Sequence, residues 1–277
     1  MTHSVSPAQV ALVTGASRGI GAAIALELAV RGYQVVGTAT TDEGAERISK
    51  VLSAYPGCRG ANLNVNDGAA IEALMDSIVK QQGGLHVLVN NAGITRDTLA
   101  MRMKDEDWDA VLDTNLKAVF RVSRAAIRPM MKQRFGRIIS ITSVVGASGN
   151  PGQANYAAAK LGVAALSKSI ALDMQKFNVR SNCIAPFAWS RMIGSIPTET
   201  DAEKARVERI KQMTPAKIAP LAVCLASDVS ADTNGQIFAV RNNEIFLISQ
   251  PRPVHSVHRG EGWTPQSVAA HALPALK

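Results

Sequence analysis

The sequence predicts a single α/β domain built on a doubly wound parallel sheet with helices on both faces. Three observations predict it. Short apolar, β-branched runs alternate with amphipathic stretches from residue 10 to beyond residue 180. Those runs are apolar along their whole length, as strands buried on both faces are, rather than at every second position. A glycine-rich turn, TGASRGIG at 14–21, falls between the first run and the first helical stretch, where sheets of this kind bind phosphate groups.

The elements follow in order. VALVTG (10–15) is the first strand and leads through the turn into a helix over 19–31. YQVVGTA (33–39) is the second strand, with a helix over 43–54, and GANLNV (60–65) is the third, with a helix over 68–82. HVLVNNAG (86–93), GRIISITS (136–143) and VRSNCIAP (179–186) give strands four to six, separated by helical stretches over 106–134 and 155–176. A helix after each strand implies parallel neighbours joined by right-handed crossovers. Past residue 186 the pattern loosens. A charged stretch within 187–214 is expected to cover a cleft, followed by a helix over 216–227 and a strand, GQIFAV (235–240). RNNE then turns the chain into a second apolar run, EIFLIS (244–249), and Thr264-Pro265 opens a short last helix. The expected division is one domain over 1–250 and a C-terminal extension over 251–277, without internal repeats.

Composition narrows the function. With 277 residues, 47% hydrophobic and 19% charged, the chain can bury a sizeable core. No apolar run approaches the roughly 18 residues of a membrane span, and the start, MTHSVSPAQVALVTG, lacks a basic segment followed by a long apolar one. A cytoplasmic protein with no membrane partner is therefore expected. The three cysteines, Cys58, Cys183 and Cys224, are scattered and odd in number, which suits a reducing compartment and argues against a disulfide framework or a zinc site. His255 and His258 have no cysteine or carboxylate cluster to complete a metal site and read as a solvated tail. The net charge of +8 favours anionic partners such as nucleotide phosphates, coenzyme A or an acidic carrier protein. No basic run interleaved with aromatics points to nucleic acid.

Gly15, Gly19 and Gly21 allow a tight turn and close approach of a pyrophosphate, while the helix N-terminus supplies N–H groups. In this strand–turn–helix setting they predict a dinucleotide site. The second strand ends Gly37-Thr38-Ala39-Thr40-Thr41, with no carboxylate before Asp42 to bind ribose hydroxyls. Arg18 is available for a forked contact with a ribose phosphate, so NADP(H) is expected rather than NAD(H). A plain surface role is the alternative for Arg18.

GNPGQANYAAAKLG (149–162) places Tyr156 and Lys160 one helical turn apart among small residues. A tyrosine with a pKa of about 10 is a poor acid or base at neutral pH. A neighbouring ammonium favours the phenolate and lowers that pKa, giving a proton donor for a carbonyl or, in reverse, a base. Ser143, at the end of the fifth strand, is placed to hold the carbonyl, with Thr142 and Ser140 as competing candidates.

TGASRGIG (14–21), NNAG (90–93), Asn115 in DTNLKAVF, Ser143 and YAAAK (156–160) together resemble the short-chain dehydrogenase/reductase family, whose fold is Rossmann-like. Residues 10 to about 165, with NAGITRD, MRMKDEDW and SVVGASGNPGQANYAAAK, are similar to the bacterial 3-oxoacyl-[acyl-carrier-protein] reductases. The resemblance implies NADPH-dependent reduction of 3-oxoacyl thioesters, on the carrier protein or on coenzyme A, in fatty acid metabolism. It implies that Ser143 polarises the carbonyl and Tyr156 transfers the proton. Lys160 would bind the nicotinamide ribose and Asn115 would hold a relay water. Thr14, Gly15, Ser17, Arg18, Gly19, Ile20 and Gly21 would form the phosphate turn, with Thr38 and Thr40 near the 2′-phosphate. Asn64 and Val65 would lie by the adenine, Asn90, Ala92 and Gly93 would line the cleft, and Pro186 would reach its nicotinamide end. The helices over 106–134 and 155–176 would pair subunits into a dimer or tetramer.

Several positions depart from that pattern. Phe187 follows Pro186 where the family has glycine, and its ring must point away or narrow the cofactor space. WSRM replaces the usual Thr-Asp-Met, leaving Ser190 to serve the carboxamide. Val240-Arg241-Asn242-Asn243 replaces the closing Asn-Gly-Gly. Arg134 matches one carrier-docking arginine, but Phe177, beside Lys176, occupies the place of another. From about Leu161 the chain looks more like hydroxyacyl-CoA or steroid-type dehydrogenases, and a fusion of two ancestors is expected on that ground. The other readings are a hydroxyacyl-CoA, alcohol or steroid dehydrogenase, or broad carbonyl reductase, and a weakly catalytic nucleotide-binding protein with an interaction tail.

Overall fold

The computed structural model describes residues 8–187, 200 and 212–276. By their internal contacts two compact units separate, Met1–Leu247 and Ile248–Lys277. In chain order the first contains β1 (Val10–Val13), α1 (Gly19–Val30), β2 (Gln34–Ala39), α2 (Asp42–Leu52), β3 (Arg59–Asn62), α3 (Gly68–Gln82) and β4 (Val87–Asn90). After these come α4 (Asp105–Leu112), a five-residue π-helical turn (Asp113–Lys117), α5 (Ala118–Gln133), β5 (Gly136–Ile141), α6 (Val144–Ser148), α7 (Ala154–Met174) and β6 (Val179–Phe187). The described residues continue with α8 (Ala219–Ala226), β7 (Ile237–Arg241) and β8 (Glu244–Leu247).

β1 shows why the strands read as continuous apolar runs. Ala11 and Val13 enter one core, with α1, α2 and α8, while Val10 and Leu12 enter the other, with α3, α5 and α7. Side chains alternate across a strand, so a strand covered on both faces must be apolar at every position. Burial of each such aliphatic side chain contributes about 1.5–3 kcal/mol. Local signals set the helix ends. The Asp67 carboxylate accepts from the N–H groups of Ala69 and Ala70 at 2.9 and 3.0 Å and starts α3. Gly83, at φ +82°, ends it.

The strand order is β3-β2-β1-β4-β5-β6-β7-β8. The chain leaves β1 toward β3 and returns to pair β4 with β1, so the loops after β1 and β4 diverge and open a crevice at the C-terminal ends of these strands. Strands β1 to β7 are parallel, as expected, but β8 runs antiparallel to β7. The turn at Asn242–Asn243, with Asn242 at φ +54°, is too short to do anything but reverse the chain. The stretch expected as one helix over 106–134 is interrupted by the π turn.

Among the described residues no helix is long and apolar enough to cross a membrane, and no three His, Cys, Asp or Glu side chains cluster as metal ligands. In the second unit Thr264 caps the predicted last helix, which begins at Pro265. Its hydroxyl accepts from the Ser267 N–H at 3.1 Å, and the Ser267 hydroxyl accepts from the Thr264 N–H at 2.9 Å. Of the stretch expected to cover the cleft, 187–214, only Phe187, Thr200 and 212–214 are described; Ser190 lies outside the described residues.

Candidate active site

The glycine turn is held by groups from β4. Thr14 Oγ1 donates to Val89 O and accepts from the N–H groups of Asn91 and Ala92 at 3.0 and 3.1 Å. Asn91 Nδ2 donates to Thr14 O and Gly15 O, both at 3.0 Å. Gly15 has φ +66°, and a Cβ there would lie 2.9 Å from Ala92 Cα, so the position needs glycine for both conformation and space. No side chain caps the first turn of α1, which leaves its N–H groups available to an anion.

Beside this turn lies a cavity of about 720 Å³, within the range of ligand sites. Gly15, Ser17, Arg18, Gly19 and Ile20 line it from the turn. Thr38, Thr40, Asn64 and Val65 line it from the ends of β2 and β3, and Ala92, Gly93 and Pro186 from the ends of β4 and β6. Four expected contacts stand outside the lining, Lys160 among them. Thr14 is buried beneath the turn, and a Cβ on Gly21 would meet Gly15 O at 2.4 Å, so that glycine serves helix packing. Asn90 donates to Ser123 Oγ at 3.0 Å and Ser140 Oγ at 3.3 Å inside the core. Arg18 is the one charged residue among the described residues lining the cavity. Asp42, the first carboxylate after β2, accepts from Asn62 Nδ2 at 2.8 Å and stands outside the lining. A glycine cradle, an uncapped helix start and the Arg18 guanidinium fit an extended, phosphate-bearing cofactor.

Ser143 and Tyr156 line the other end of the cavity. Ser143 caps α6, accepting from the Val145 N–H at 3.2 Å, and acts to lower the pKa of Tyr156. Its competitors are engaged elsewhere: Thr142 Oγ1 donates to Lys160 O at 2.5 Å, and Ser140 accepts from Asn90. Lys160 is buried behind Tyr156. Its Nζ donates to Ile141 O at 2.8 Å and lies 5.6 Å from the centre of the Tyr156 ring. Asn115, within the π turn, is fully buried, and its amide is bound at both ends to Ile94, accepting from N and donating to O at 2.8 Å. The two residues meet at Gly93, where a Cβ would stand 3.0 Å from Asn115 Oδ1 and 3.8 Å from Lys160 Nζ.

The electrostatics differ from the expectation that Lys160 lowers the tyrosine pKa. Burial raises the Tyr156 pKa above its ordinary value, Ser143 offsets part of this, and the charge of Asp97 adds to it. Burial pushes Lys160 itself down to about 8. A buried ammonium directed at a carbonyl and beneath the ring face gives little help to a phenolate, so in this protein desolvation wins.

Residues that motif spacing did not single out complete the site. Asn91 braces the glycine turn, and its signal was present in NNAG, one place after the residue first chosen. Gln153, three residues before Tyr156, also lines the cavity and donates to Asp97 Oδ2 at 2.8 Å. That pair is separated by 56 residues, so no local pattern announces it. Phe187 pairs with Arg241 at the end of β6 and does not belong to the lining, whereas Pro186 does. The ring therefore does not narrow the cavity.

The sequence matches the short chain dehydrogenase family over residues 9–208. It is 47% identical over 242 residues to the 3-oxoacyl-[acyl-carrier-protein] reductase FabG of Escherichia coli (strain K12), covering 87% of this chain and 98% of the relative. The reductase of that name from Haemophilus influenzae is 51% identical over 203 residues, 72% of this chain and 81% of the relative. That of Pseudomonas aeruginosa is 44% identical over 231 residues, 82% and 93% of the two chains. An alignment to one relative over 87% of the chain runs through both the motif-bearing part and the part beyond residue 165. The expected fusion of two ancestors is therefore unsupported.

Proposed function

The chain belongs to the short-chain dehydrogenase family and is an oxidoreductase acting on CH–OH and C=O groups; from that premise we propose that it reduces 3-oxoacyl thioesters to 3-hydroxyacyl thioesters with NADPH. The observation that carries this reading is that Ser143 and Tyr156 line the same cavity as the glycine turn.

NADPH, when bound, supplies the hydride that adds to the 3-carbonyl carbon. Ser143 donates to the carbonyl oxygen, and Tyr156 gives its proton to that oxygen as negative charge develops there. A phenol whose pKa is raised by burial is fully protonated at neutral pH, which suits the reductive direction. Lys160 lies against the tyrosine ring and would bind the nicotinamide ribose. Asn115 holds Ile94, and with it the loop after β4. Arg18, with Thr38 and Thr40 at the end of β2, would receive the 2′-phosphate, and among the described residues no lining carboxylate opposes it.

The names of the relatives support a carrier-protein thioester as substrate. Arg134 is exposed at the end of α5, its Nη2 donating to Lys176 O at 3.0 Å, and would meet the acidic carrier. With Phe177 in place of a second docking arginine, coenzyme A thioesters are included in the proposal. Phe120, Leu161 and Leu172 are exposed on α5 and α7 at 44%, 50% and 67%, which supports pairing of these helices in a dimer or tetramer, to be measured by light scattering.

The test follows NADPH and NADH consumption with acetoacetyl-CoA. Tyr156→Phe is expected to lose at least about 100-fold in turnover. Arg18→Ala is expected to raise the KM for NADPH about tenfold, with little change for NADH, through loss of a charge-assisted contact. Turnover with NADH alone would overturn the cofactor assignment. Binding of NADPH without reduction of any 3-oxoacyl thioester would overturn the substrate assignment.

A further inference from the structure

We propose that Asp97 is a positioning residue for the proton donor: fastened to Gln153, its carboxylate clamps the loop after β4 to the first turn of α7 and sets a negative charge beside Tyr156. The inference rests on the reading of Tyr156 as the proton donor.

Three rungs join the two segments. Gln153 Nε2 donates to Asp97 Oδ2 at 2.8 Å, while its Oε1 accepts from Asn150 Nδ2 at 3.0 Å, which fixes the orientation of the amide. The Thr98 N–H donates to Gly152 O at 2.8 Å. Asn155 Nδ2 donates to Arg96 O at 3.0 Å and to Asp107 O at 3.3 Å, and its Oδ1 accepts from the N–H of Tyr156 itself at 2.7 Å. Gln153 is 6% exposed and Asn155 fully buried, so these amides stay paired only while the clamp is closed. Gln153 immediately precedes α7 and lines the cavity with Tyr156. The clamp therefore fixes both the backbone and the surroundings of the phenol.

Among the described residues, the charged and titratable groups around Tyr156 come from four segments. Asp97 and Arg96 lie on the loop after β4, where Arg96 pairs with Asp107 of α4 at 3.8 Å. Lys160 stands one turn along α7, and Cys183 of β6 faces Lys160. Of these, Asp97 is the carboxylate that acts on the phenol, and its charge disfavours the phenolate, in the same direction as burial. Lys160, pushed down to about 8 by burial, does not offset it. The result is a tyrosine kept as an acid, ready to donate and slow to serve as a base.

Ultraviolet difference titration of the cofactor-free protein, with Tyr156→Phe as the blank, reads this phenol directly. In Asp97→Asn the midpoint is expected to fall, and by less at high salt because Asp97 is exposed. Asp97→Glu keeps the charge and is expected to titrate near the wild type. Gln153→Leu, which releases the carboxylate toward solvent, is expected to lower the midpoint in the same direction. The alkaline limb of NADPH-dependent reduction should move with the titration. An unmoved midpoint in Asp97→Asn, or an equal fall in Asp97→Glu, overturns the proposal whatever happens to the rate. Because the titration needs no substrate, a failure with acetoacetyl-CoA would count against the functional reading and leave this one standing.

Discussion

Lys160 meets two opposed demands, since the site places it against a carbonyl and the core around it disfavours its charge. Burial lowers its pKa from 10.5 to about 8. Between those values the unfolded chain binds a proton that the folded protein has released, so folding stability rises with pH across the window. Cys183, pushed up from 9.0 to about 11, acts in the opposite sense above pH 9, because there the folded state keeps a proton that the unfolded chain has lost. The rise should therefore be clearest between pH 8 and 9. Replacing Lys160 by Met removes the buried charge. At pH 7 we expect this variant to gain on the order of 1–3 kcal/mol, or a few degrees in Tm, while losing most of its turnover. Calorimetry at pH 7, 8 and 9 checks both parts, since the variant should also lack the rise. A lower Tm at pH 7 would mean that the bond to Ile141 outweighs the desolvation.

At the scale of elements, the glycine turn is a joint between β1 and β4 rather than a property of residues 14–21 alone. Asn91→Ala removes two amide hydrogen bonds to turn carbonyls. It is expected to cost about 1–3 kcal/mol of stability and to raise the KM for NADPH, as urea unfolding and steady-state kinetics would show. The turn was legible in the sequence because its constraint is local: glycine at φ +66° and +60° leaves a mark at positions 15 and 19. The places of Ser143, just past β5, and of Tyr156, in the first turn of α7, follow from equally local signals. The π turn was not, because the apolar periodicity of 106–134 continues across it and the extra residue shows only in the hydrogen bonding. The pairing of Asp97 with Gln153 and the direction of the tyrosine pKa depend on burial and on contacts across the fold, which spacing along the chain does not record.

Over the whole molecule, the crevice end of the sheet carries the site and the opposite end carries a buried cation. Arg137, 1% exposed near the start of β5, lies 4.2 Å from the Phe135 ring centre and donates to Asp228, just after α8, at 3.2 Å. Asp228→Ala leaves that guanidinium without its carboxylate. Since Asp228 is 77% exposed, water replaces part of the interaction, and a loss of about 1 kcal/mol in urea unfolding is expected, with cofactor binding unchanged. The alternation of strands and helices made the layered sheet readable, and RNNE marked, between two apolar runs, a turn whose shortness forces the reversal into β8. The strand order has a further consequence for how the protein is made. Once β1, β2 and β3 have paired, each later strand from β4 to β8 joins the same growing edge in the order in which it leaves the ribosome. No strand has to insert between two that are already paired. The floor of the crevice at β1 and β4 can thus assemble on the nascent chain before Ser143 and Tyr156 have been synthesised.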